Sequence, residues 1–350
     1  MVRLGTTLDR GHSREDPQVA LDHRRYRDRR THGSVGTDSR GPPDASLVGR
    51  TTPFVAFSRC VPTERSSTLQ VTSGAHRVSS RRAINLALLS FLTLALAFGG
   101  FIASPTQATA ASQIKVVIVV GPVEGNTARY VEHAREYAAQ ARAYGAAVTE
   151  VYSPRATWTR VKAAAVGANI FIYLGHGNGY PSPYGAFSSL RKNGMGLNGS
   201  LNNGNSNVRY WGQYYMRTGL DLARNSVVLL NHLCYASGNS EPGQKLPTKS
   251  VAMQRADGYG TSFLRTGARA MFANGNGSLT SVLTDLFTSE KTVGQMFQDD
   301  WSFTGTADFK FASAKTSWST VWMDPHDPGK YYHAVSGNLN LTAGQVRAGG

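Results

Sequence analysis

The chain has 350 residues, with 37 Lys and Arg against 22 Asp and Glu, a formal net charge of +15, and two cysteines. That length allows one large domain or two small ones, and two cysteines exclude a disulfide scaffold or a thiolate zinc cluster. The basic excess suits an anionic envelope polymer or membrane surface; with no Arg/Lys stripe interleaved with aromatics, nucleic acid is not expected.

Residues 1–82 hold 15 Arg and 8 acidic residues among Gly, Pro, Ser, Thr and His, with no apolar period. Such a segment buries too little to offset its ordering entropy. It is expected to be disordered, or untranslated if synthesis starts at Val78. Residues 83–103 form an apolar run of 21 behind Arg77, Arg81 and Arg82. The run can span a bilayer, and its basic flank keeps the N-terminal side inside. With Ala108-Thr109-Ala110 as a cleavage site, residues 83–110 read as a signal peptide or an uncleaved membrane anchor. The chain from Ala111 onward is then expected to be exported, either secreted or anchored outside the cytoplasmic membrane. Cys60 lies in the basic segment, which leaves Cys234 as the exported part's single thiol. It is either a small buried apolar residue or a nucleophile.

Residues 115–120 (KVVIVV) are a continuous β-branched run, the pattern of a strand covered on both faces. Asn126 can cap a following helix on which Val131, Ala134, Ala138 and Ala141 share a face, and Gly145 supplies a left-handed stop. Residues 147–152 read as a second strand and 157–166 as a second helix, with Trp158, Val161 and Ala165 on one side. Residues 169–174 (NIFIYL) make a third strand. This βαβαβ order implies a parallel sheet with helices on its faces. Residues 193–207 are almost all Asn, Gly and Ser and read as a long mobile loop. Residues 225–233 resume the buried-strand pattern, 249–266 are mostly helical, 268–273 form another strand, and 279–300 one or two helices. Beyond Trp301, short strands and an appended subdomain over 301–350 are expected.

Ligands of a parallel sheet bind beyond the carboxyl ends of its strands. His176 follows the third strand and Cys234 follows the next, so both are expected on one edge. Gly175, Gly177 and Gly179 let the backbone pass close to a substrate. A thiol beside an imidazole is an arrangement for acyl transfer, and amide N–H groups in the turn can hold the oxyanion.

A hydrophobic strand ending in His-Gly (YLGHG), then a second ending in Cys (LLNHLCYASG) with 58 positions between His176 and Cys234, resembles the caspase-like cysteine peptidases. That group includes metacaspases, gingipains, clostripain and legumains. The resemblance covers about 115–275. It implies a caspase-like three-layer α/β sandwich with a mainly parallel sheet over 111–300, Cys234 as nucleophile and His176 as general acid/base. It also implies an oxyanion hole from the Gly177 and Cys234 amides, no cofactor, and a peptide or protein substrate. His232 would line the primary specificity pocket, with Asn178 as a second substrate-facing residue. Alternation along a strand independently puts His232 on the face of Cys234. A histidine there does not favour Lys or Arg, so neutral or acidic side chains are expected.

Two other readings stand beside the exported hydrolase. One is a catalytically silent envelope protein that uses the fold for binding or scaffolding. The other is a metal site from His176, His232 and Cys234, disfavoured because no acidic third ligand stands at a telling spacing. Asp221 and Asp257 are candidates to orient His176.

Overall fold

The computed structural model describes residues 113–349. The basic segment, Cys60, the apolar run at 83–103 and the cleavage motif lie outside them. Among the described residues no helix is long and apolar enough to cross a membrane.

The first strand, β1 (Lys115–Val120), leads through a short turn into α1 (Thr127–Ala143), then β2 (Ala147–Tyr152), α2 (Trp158–Ala165) and β3 (Ile170–Leu174). Two short strands follow, β4 (Met195–Asn198) and β5 (Val208–Trp211), then α3 (Gln213–Gly219) and β6 (Ser226–Asn231). The remainder is α4 (Lys249–Phe263), β7 (Ala268–Asn274), α5 (Thr280–Thr288), α6 (Val293–Gln298), β8 (Phe309–Ala312), β9 (Thr320–Asp324), β10 (His333–Gly337) and α7 (Ala343–Arg347). Eight strands form one sheet in the order β2-β1-β3-β6-β7-β10-β9-β8. The pairs from β2 to β7 are parallel; β10, β9 and β8 add on in antiparallel fashion. Residues beyond Trp301 therefore continue this same sheet.

Period-2 alternation sorts the buried strand residues onto two faces. Val116, Ile118, Ile170, Ile172, Val227, Leu229 and Phe272 pack against Ala134, Tyr137, Ala138 and Ala141 of α1 and against α5, α6 and α7. Val117, Val119, Phe171, Tyr173, Val228, Leu230 and Met271 face α2, α3, α4 and β4. The result is a three-layer α/β sandwich. Gly145 takes φ +81 at the end of α1, while Asn126 makes no side-chain cap.

The segment read as a mobile loop is partly ordered. β4 pairs antiparallel with β5 and is buried throughout. Asn198 anchors it, accepting from the Ala156 N–H (3.1 Å) and donating to Gly204 O (2.9 Å). α4 runs unbroken through Gly258 and Gly260. Their missing side chains admit Asn193 and Ser336, which would lie 2.7 Å from an added Cβ.

Candidate active site

β3 and β6 are neighbours in parallel, with Leu174 paired to Asn231. The turns carrying His176 and Cys234 therefore leave the sheet side by side at its carboxyl edge. They are in backbone contact. A Cβ on Gly177 would fall 2.2 Å from the Cys234 carbonyl oxygen, and one on Gly179 would fall 2.3 Å from Cβ of Tyr235. His176, His232 and Cys234 keep partial exposure, while Gly177, Leu233 and Tyr235 beside them are buried. The backbone N–H groups of Gly177 and Cys234 have no hydrogen-bond acceptor among the described residues.

Two buried tyrosines that the sequence reading passed over hold the histidine turn. The Tyr173 hydroxyl sits 3.0 Å from His176 O and 2.8 Å from Gly196 O, and accepts from the Gly196 N–H. The Tyr259 hydroxyl on α4 accepts from the Asn178 N–H at 2.8 Å. Asn178 itself is buried, and its Oδ1 accepts from Lys192 Nζ at 2.8 Å. Lys192 also donates to Ser182 Oγ (2.8 Å) and Tyr184 O (3.1 Å). Only 2% of Lys192 is exposed, and burial lowers its ammonium to about 8. Arg255 of α4, 5% exposed, spans the two turns, donating to Pro181 O (2.6 Å), Asn239 O (2.9 Å) and Ser240 Oγ (3.1 Å). Its guanidinium lies 4.8 Å over the Tyr235 ring.

Burial, with a smaller contribution from Glu241, pushes the Cys234 thiol up to about 12. The resting sulfur is therefore a thiol.

His232 departs from the alternation argument. β6 ends at Asn231, and His232 adopts φ +57, a left-handed conformation uncommon for a side-chain-bearing residue. Its N–H donates to Asn274 O (2.8 Å), and its ring turns to α1. There it lies 5.4 Å from the Tyr130 ring and 5.1 Å from His133, with His133 Nδ1 and His232 Nε2 3.1 Å apart. Burial first, then His133 and Arg129, lower the His232 imidazole to about 4, so it is neutral near pH 7. The Cys234 side chain instead borders the core on the opposite face of the sheet. Burial first, then the Cys234 sulfur, raise the Tyr130 phenol above its ordinary value.

Asp221 is exposed, and Asp257 accepts from Ser313 Oγ near the far strands. Among the described residues no group of three His, Cys, Asp or Glu is arranged to hold a metal.

No family model and no curated protein matches the chain. Among solved structures, the crystal structure of the Arg-specific cysteine proteinase gingipain R (RGPB) is similar at 15% identity and a TM-score of 0.29, over 65% of this chain and 61% of that one. The chain thus spans less than two thirds of that proteinase, and at such a score nothing about the site rests on the likeness.

Proposed function

We propose that the chain is a caspase-like cysteine peptidase, acting on a peptide or protein. The supporting observation is the backbone contact between Gly177 and Cys234, which puts the histidine turn and the thiol in one partly open crevice. In this reading the Cys234 thiol gives its proton to the His176 imidazole as sulfur bonds to the scissile carbonyl carbon. The oxygen becomes an oxyanion beside the open Gly177 and Cys234 amides. Collapse breaks the C–N bond, and the leaving amine takes the proton from His176. Water then hydrolyses the thioester, with His176 as base.

An envelope-side location accompanies the reading, on the strength of the apolar run at 83–103 and its basic flank. The second reading, a silent binding or scaffold protein, draws support from the high pKa of Cys234. A peptidyl electrophile separates them. It should label Cys234 in the wild type and label His176→Ala far more slowly; an inert Cys234 in folded protein removes the nucleophile.

A further inference from the structure

The outer face of α2 carries an apolar hollow of about 290 Å³, lined by Trp158, Thr159, Lys162, Ala163 and Val166. Trp158, Lys162 and Val166 stand four apart and form one row along the helix. Val166 is 51% exposed, and Arg160 and Lys162 are exposed beside it. Trp158 lies flat on Trp211 of β5, ring centroids 5.3 Å apart, and edge-on to Tyr215 of α3. Tyr214, 50% exposed, extends this platform, and the Arg209 guanidinium sits 4.5 Å over the Trp211 ring. From 151 to 220 the chain has seven Lys and Arg and no Asp or Glu. Asp221 is the first acidic residue beyond, and its carbonyl oxygen accepts from the Gly167 N–H at 2.8 Å. At that same end Lys115 of β1 donates from Nζ to Val166 O at 2.7 Å.

Resting on the envelope-side reading, we propose that this face docks the domain on an anionic membrane surface. Trp158 and Val166 enter at headgroup level, and Lys115, Arg160 and Lys162 meet the lipid phosphates. Indole and phenol rings settle at that level, long cationic side chains reach out to it, and anionic headgroups attract them. A sugar or a base would need hydrogen-bond partners inside the hollow, where Thr159 and Lys162 are the only polar side chains. The chain's own segment 1–82, with 15 Arg against 8 acidic residues, is repelled by the same charge. The path of the chain favours the membrane too. Eleven residues separate Lys115 from Ala103, where the apolar run ends. With that run in a bilayer, so short a connection keeps Lys115, and the Val166 end of the hollow with it, within about 40 Å of the surface. α2 starts from the carboxyl edge of the sheet, which also carries the His176 and Cys234 turns, so docking restricts the domain to substrates near the membrane.

The test uses the full chain, reconstituted into vesicles of phosphatidylcholine alone or with added phosphatidylglycerol. In a Cys60→Ser, Cys234→Ala background, a polarity-sensitive fluorophore is placed at Val166→Cys or, on the opposite side of the sheet, at the exposed Thr288→Cys. Brominated lipid should quench the Val166 probe in phosphatidylglycerol vesicles and leave the Thr288 probe bright. Arg160→Gln and Lys162→Gln should each cut the docked-to-free ratio about fivefold, and added salt should lower it further. Both side chains are exposed, so these variants should keep the parent melting temperature. An unquenched Val166 probe in phosphatidylglycerol vesicles overturns the proposal. Equal quenching in both vesicle types, unmoved by either variant, means that the tether alone holds the domain there and overturns it too. A Val166 probe that responds to polygalacturonate or an oligonucleotide but not to lipid assigns the face to a soluble polyanion and overturns membrane docking. A full chain that floats with neither vesicle overturns the envelope-side reading together with the proposal, whereas flotation with an unquenched probe overturns the proposal alone.

Discussion

The Cα of Gly177 lies so close to the Cys234 carbonyl that a single added carbon would sit 2.2 Å from that oxygen. The turn after one strand therefore depends on the backbone of the turn after its neighbour. Gly177→Ala must push them apart, because the atom it meets is backbone, which cannot swing away. We expect a loss of about 2–3 kcal/mol in urea unfolding and a clear drop in Cys234 labelling by a peptidyl electrophile. A variant as stable and as readily labelled as the wild type would show that the two turns do not meet in this way.

The Cys234 thiol gives a chemical prediction. A group raised to about 12 is protonated at neutral pH, so reaction with iodoacetamide should be slow there. The rate should rise by about tenfold per pH unit well into the alkaline range. A rate plateau beginning near neutrality would mean that the sulfur is already thiolate.

His232 predicts a pH dependence of stability. Its folded value, about 4, is below the unfolded reference of about 6.5, so between the two the unfolded chain binds more protons. Stability should therefore fall as pH drops through that window, by at most about 3 kcal/mol from this group. In His232→Asn, chemical denaturation at several pH values should show a shallower slope.

Lys192 acts in the same sense at the alkaline end. Its ammonium is lowered to about 8 against an unfolded value near 10.5. Stability attributable to it should rise as pH climbs through that interval. Lys192→Met should remove this rise. At neutral pH it also leaves Asn178 Oδ1, Ser182 Oγ and Tyr184 O without their shared donor, costing about 1–3 kcal/mol. Hydrogen exchange should then report a looser turn around Asn178.

The parallel core was legible in the sequence because strands such as KVVIVV and SVVLLN are continuous apolar runs, and their ends place His176 and Cys234 at one edge. β4 was not. MGLN has neither the β-branched residues nor the alternation of a strand; pairing with β5, the Asn198 bonds and the Tyr173 hydroxyl order it. The His133–His232 contact was half visible. His232 stands out beside the cysteine, but His133 reads as one polar residue on an amphipathic helix, and only the turn of His232 out of the strand brings them together. Lys192 and Arg255 gave no signal, because cations are seldom buried and nothing in their neighbourhood announces the carbonyls that receive them.

Those two cations bear on the conditions the protein can tolerate. Among the described residues neither Lys192 nor Arg255 is joined to a carboxylate; each is fastened to carbonyl and hydroxyl oxygens out of solvent's reach. An exposed ion pair weakens as dissolved ions crowd around it, whereas a buried charge held by fixed dipoles offers them little to screen. The crevice should accordingly keep its shape in brine strong enough to loosen the surface pair between Arg142 and Glu150.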